Sequence, residues 1–169
     1  ARADQLLRVI NGAEQTTQNP LAPPTTSAID SLQQSTVPTD SLSLEELDGP
    51  YKFDAAAEHY LAVLMPVQGS DIQAAKAAAA DFNLVFFNSA QLRVTNNLLD
   101  KDYHMLLIKS FKLLDEGKQY LNAFISDTDK LANINVNGNH VFLISKQNYI
   151  ALFKGKDYQL YLDFFARYY

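Results

Sequence analysis

The side chains with chemistry to offer are three histidines, two serines ahead of helical patterns, three close carboxylate pairs and two lysines beside an apolar run. His59, His104 and His140 invite a metal reading, because imidazole is a common zinc ligand. Each opens an apolar run of strand length, however, and the strand order derived below puts His104 and His140 at one end of a sheet and His59 at the other. A lateral gap of about 10 Å between His104 and His140, from two strand steps, is too wide for ligands that bind near 2 Å. Solvated strand-end histidines are the expectation, with no metal site. Ser70 and Ser145 stand where helices should begin and read as caps, and no G-x-S-x-G occurs. Gly69 and Gly117 stand alone, so no phosphate loop is present. Asp100/Asp102, Asp115/Glu116 and Asp127/Asp129 sit at turns or helix ends, where acids belong. Lys109 and Lys112 flank an apolar strand and read as edge or snorkelling charges. With zero cysteines there is no disulfide, thiolate metal site or Cys nucleophile. The expectation is a protein that is not an enzyme, with no catalytic residues and no cofactor.

The elements that position these groups begin late in the chain. All nineteen Phe and Tyr residues lie at or after Tyr51, and residues 1–50 hold two basic and seven acidic side chains, whereas twelve of each follow. The net charge of −5 therefore belongs to the aromatic-free lead. No basic surface of the kind nucleic acid needs is evident, and no apolar run approaches the length of a membrane span. Ala3, Leu6, Leu7 and Ile10 form one helical stripe over residues 1–13, read as the last helix of an upstream helical region. Residues 14–50, rich in Ser, Thr, Pro and Gln, read as a flexible linker. Near its end Leu42, Leu44 and Leu47 are candidates to strap onto the domain, with Ser43 and Glu46 as a capping box. The chain opens on Ala1 without a signal-peptide pattern, as expected of a mature product or an excised piece.

Within residues 51–169, Glu58–Met65 reads as a strand closed by Pro66. Ser70 with Gln73 then caps a helix whose stripe is Ile72, Ala75, Ala79 and Phe82. Leu84–Phe87 fits either the helix end or a strand. Gln91–Leu98 alternates with Leu92, Val94 and Leu98 on one side, and Tyr103–Phe111 is strongly apolar. Asp115 is the expected cap of a helix to Ser126 with Tyr120, Leu121, Phe124 and Ile125 inward. Asn133–Asn139 reads as a loop turning at Gly138, and His140–Ile144 as the fourth strand. Ser145 starts a short helix ended by Gly155, and Asp157 caps the last one. The order β-α-β-β-α-β with right-handed crossovers gives an α+β, ferredoxin-like sheet of order 4-1-3-2. Strands one and three are apolar on both faces, so the second face must also be covered. The two additional C-terminal helices are the cover. Apolar residues of the last one, including Tyr158, Tyr161, Leu162 and Phe165, spread well beyond an ordinary stripe. Its outer side, Leu160, Phe164 and Tyr168 with Tyr169, is the candidate partner surface.

Several segments carry a family likeness: His59–Pro66 (HYLAVLMP), Asp81-Phe82-Asn83, Lys109–Phe111 (KSF), Tyr120-Leu121, Ile144–Tyr149 (ISKQNY) and Tyr161–Tyr169 (YLDFFARYY). Together they resemble the C-terminal domain of the large tetratricopeptide-repeat lipoproteins of Bacteroidetes, the SprE/PorW type, across about residues 51–169. The resemblance implies a periplasm-facing component of the type IX secretion and gliding machinery. It also implies protein partners, no catalytic residues, and a lipid anchor at the outer membrane outside this segment. The helix at Ala1–Ala13 would then be the end of the repeat array. Sporulation-related-repeat domains share the topology, and Leu107–Lys112 (LIKSFK) is similar to their strand-to-helix motif, which implies peptidoglycan glycan binding on an open sheet face as the alternative.

Overall fold

The computed structural model describes residues 47–169. The helix expected at Ala1–Ala13, the linker up to Glu46, the Ser43/Glu46 capping box and the docking of Leu42 and Leu44 lie outside these residues. Four strands, β1 (His59–Pro66), β2 (Arg93–Leu98), β3 (Tyr103–Phe111) and β4 (His140–Ser145), form one antiparallel sheet of order β2-β3-β1-β4. Read from the other edge this is 4-1-3-2, and the domain is the expected ferredoxin-like α+β fold with additional C-terminal helices. The helices are α1 (Ile72–Phe86), α2 (Leu114–Ser126), α3 (Lys146–Gly155) and α4 (Tyr158–Tyr168).

Alternation along the central strands divides the core in two. Leu61, Val63 and Met65 of β1 and Leu106 and Ile108 of β3 face one side, under Ala75, Ala79 and Phe82 of α1 and Tyr120 and Phe124 of α2. Tyr60, Ala62 and Leu64 with Met105 and Leu107 face the other, under Leu152 of α3 and Tyr161 and Phe164 of α4. Each fully buried side chain of this size stabilises the fold by about 1.5–3 kcal/mol. The loop at residues 133–139 contributes Ile134 and Val136 to the first core, a role its polar composition conceals.

Local signals misplaced two helix boundaries. Asp71, not Ser70, caps α1: its Oδ1 accepts from the N–H groups of Gln73 and Ala74, both at 3.0 Å. Helix α2 starts at Leu114, ahead of Asp115, because Leu114 packs into the first core, and Glu116 closes the turn by accepting from the N–H groups of Lys112 (3.1 Å) and Leu113 (3.3 Å). Gly155 ends α3 as expected, and the left-handed residue beyond it is Lys156, with φ of 63°. The caps at Ser145 and Asp157 hold, bonded to the N–H groups of Asn148 and Leu160. Two residues expected inward are exposed: Leu98 at the hairpin end of the edge strand and Ile125 on the flank of α2.

Gly117 has a tertiary reason. A Cβ there would lie 3.2 Å from Cδ2 of buried Leu143, so the missing side chain lets α2 lie directly on β4.

Candidate functional site

The histidines are distributed as the register requires. Met65 pairs with His104 and Leu64 with His140, while His59 lies at the far end of β1, roughly 17 Å along the strand. Among the described residues no group of three or more His, Cys, Asp or Glu could hold a metal ion. The carboxylate pairs serve local structure: Asp100 Oδ1 accepts from the N–H groups of Asp102 (2.8 Å) and Tyr103 (2.9 Å), and Asp127 pairs with Lys130 at 2.9 Å. The Lys130 ammonium hydrogen-bonded to Asp127 holds that carboxyl below its ordinary range.

His59 corrects the expectation of a solvated strand-end histidine, since it has no exposed surface. Its Nδ1 lies 2.7 Å from the carbonyl oxygen of Ala57, which accepts only, so Nδ1 carries the proton. In the neutral ring Nε2 is then an acceptor, receiving a hydrogen bond from the Tyr169 hydroxyl at 3.0 Å. Burial lowers the pKa of His59 below the ordinary 6.5, outweighing the Ala57 contact that favours the cation. Burial also pushes the Tyr169 hydroxyl up to about 12.

The predicted partner surface is occupied by the chain itself. Phe164 has no exposed surface, and Leu160, Tyr168 and Tyr169 are half-buried. What covers them is the segment leading into β1, including Leu47–Pro50, which composition assigns to the linker. Tyr51 packs edge-on to Tyr161 (4.8 Å between centroids) and against Phe164 (5.7 Å). Phe53 stacks on Tyr168 (5.8 Å) and meets Tyr169 edge-on (5.3 Å). Asp48 accepts from the Arg167 guanidinium (2.7 Å) and the Tyr168 hydroxyl (2.6 Å). Gly49, with φ of 58°, passes so close to Leu160 that a Cβ would lie 2.7 Å from its Cδ2. Asn148 completes the clasp by reading the Lys52 main chain in both directions, accepting its N–H (3.0 Å) and donating to its carbonyl (2.8 Å). A strap therefore exists, but Tyr51 and Asp48 anchor it and Leu47 stays partly exposed. The physical reason for the correction is that an aromatic-rich helix face finds its apolar cover within the chain. Asn148, Phe164, Arg167, Tyr168 and Tyr169 build this clasp.

The accessible apolar surface lies elsewhere, at the C-terminal end of α1. Leu84, Val85 and Phe86 are consecutive and 65%, 63% and 49% exposed. The signal was available: Phe82 is the last residue of the inward stripe, and Leu84 and Val85 fall off it at 100° per residue. Beside them runs a groove of about 660 Å³ between α1 and β2, lined by Lys76, Ala77, Ala80, Leu84, Phe87 and Leu92. At its wall the side chain of Asn83, 6% exposed, accepts a hydrogen bond from the Tyr120 hydroxyl at 2.6 Å, while its Nδ2 has no partner among the described residues. Among the described residues the adjoining strand β2 pairs only with β3, so its outer edge keeps backbone donors and acceptors that none of them pairs.

The sheet face that a glycan-reading domain of this topology would use lies under α3 and α4 from Leu64 to Ile144. Among the described residues no helix is long and apolar enough to cross a membrane. Comparison of the chain with protein-family models, with characterised proteins and with solved structures gave no match.

Proposed function

We propose that residues 47–169 form a non-enzymatic protein-interaction domain, an assembly component of a periplasm-facing type IX secretion and gliding machine held at the outer membrane by a lipid outside this segment. The observation that carries the reading is the exposed Leu84-Val85-Phe86 tip beside a groove and an unpaired strand edge. Together these suit an extended segment of a partner protein. Its backbone adds a strand to β2, an apolar side chain enters the groove, and an acidic residue meets Lys76, which forms no ion pair among the described residues. The half-polar strand β2 (Arg93, Thr95, Asn96, Asn97) fits an edge that pairs on demand and resists pairing with itself. Covered sheet faces leave the glycan alternative less surface to use.

The test places a photo-crosslinking residue at Val85 and, separately, at Arg167 on α4, in cells of a gliding bacterium. Crosslinks from Val85 to one defined segment of a partner, whose synthetic peptide then shifts the β2 amides in NMR spectra, are expected. Leu84→Ser/Val85→Ser should abolish that crosslink and impair secretion without changing the melting temperature. Crosslinks from Arg167 alone, or retention on purified sacculi that depends on sheet residues, would replace this reading.

A further inference from the structure

A second feature lies on the opposite sheet face, at the end that α3 and α4 leave open. Tyr60 of β1 pairs with Lys109 of β3, and Lys109 pairs with Arg93 of β2, so three adjacent strands present these side chains on one face. Between His59 and Tyr60 the β1–β3 register shifts by one, so Ser110 is an extra residue in β3. The shift has a consequence for side-chain direction. Phe111 turns into the first core, and Lys112, just past the end of β3, borders both the basin that holds Lys109 and the hollow beside Phe111 and Glu116.

Arg93, Lys109 and Lys112 thus converge with Ser110 and Tyr60 on a basin of about 470 Å³, in a protein of net charge −5. None of the three cations makes an ion pair among the described residues. The Lys109 ammonium is held over two aromatic rings, 5.2 Å from the centroid of Tyr60 and 5.7 Å from that of Tyr149. One carboxylate, Glu58, stands on the rim, but it is shared with Lys146 at 3.7 Å. Glu116 spends its carboxylate on the Lys112 and Leu113 N–H groups.

We propose that this basin is a binding site for a phosphate group, free or esterified. Three like charges with no ion-pair partner among the described residues repel one another, and a ligand that removes the repulsion gains most where it carries more than one charge. A phosphate monoester bears about −1.5 to −2 at neutral pH, with three acceptor oxygens. The Arg93 fork takes two of those oxygens side by side, and the lysines and the Ser110 hydroxyl supply donors for the rest. A single carboxylate leaves most of the positive charge uncompensated. The basin opens on the other sheet face from the groove proposed for the protein partner, although Gln91 borders both and Arg93 belongs to the strand that partner would extend.

The experiment is an NMR titration of the 169-residue chain with inorganic phosphate, O-phosphoserine and acetate at matched ionic strength. Saturable shifts confined to the amides of Tyr60, Arg93 and Lys109–Lys112 are expected with both phosphates, and the tighter of the two assigns the source as free or ester phosphate. Arg93 is exposed, so Arg93→Gln retains the fold and should weaken binding by about tenfold or more. The control Lys76→Gln should bind as the parent does. An equal response to acetate, unchanged binding by Arg93→Gln, or no saturable shift with either phosphate overturns the proposal.

Discussion

Removing one oxygen from Tyr169 tests the account of how the strap, α4 and β1 are joined. In Tyr169→Phe the ring keeps its neighbours Phe165 (5.1 Å) and Phe53 (5.3 Å), so apolar packing is preserved. What is lost is the hydroxyl that donates to Nε2 of His59, a side chain with no exposed surface for water to reach. An acceptor left unsatisfied in such a site costs about 1–3 kcal/mol. At roughly 4 °C per kcal/mol for a domain of roughly 120 residues, the melting temperature should fall by about 4–12 °C. The assay is thermal and urea unfolding of the parent, Tyr169→Phe, His59→Leu and the double variant. Because the two groups share a bond, the double variant should lose less than the sum of the single losses. The same geometry fixes a pH dependence. Burial lowers the His59 pKa, so the unfolded chain takes up the proton first. Stability is therefore full above the unfolded value near 6.5 and declines as pH falls below it, in a window above the range of the carboxylates. A melting temperature within 1 °C of the parent, additive losses, or an NMR titration placing His59 at or above 6.5 would refute the reasoning.

Two further substitutions separate packing from contact. Phe164→Ala should cost about 3–5 kcal/mol, read as a lowered urea midpoint, since the ring is fully buried between Tyr51, Tyr161 and Tyr168; a variant of unchanged midpoint would return this residue to the list of surface contacts. Gly117→Val should destabilise by about 1–3 kcal/mol, because its first carbon already crowds Leu143 and its branches cannot be accommodated; a neutral result would mean that α2 can lift off β4.

Much of the fold was legible because it rests on periodicity. The two-faced apolar pattern of β1 and β3 required cover on both sides, and the structure supplies it. Capping positions were less secure, since Ser70 and Asp71 both offer an oxygen and only the path of the chain decides which one meets the free N–H groups. Within the candidate surface, the burial of Phe164 was hidden for a related reason. An arc of Leu160, Phe164, Tyr168 and Tyr169 is equally a partner site or a buried seam, and the difference lies in Tyr51 and Phe53, more than a hundred residues away. Conversely, Leu84 and Val85 were visibly off the α1 stripe, yet the ambiguity between helix end and strand hid their exposure.

The amino-acid sequence by itself determined where the aromatic-rich domain lies, which strands sit at its centre, and that two helices must close the second face, because these follow from period, composition and the limits on chain crossover. Tertiary structure alone decided that His59 is buried, that the last helix is clasped by the segment before β1, and that Arg93, Lys109 and Lys112 border one basin. Burial and charge clustering depend on contacts between residues far apart in the chain, and no local pattern encodes them.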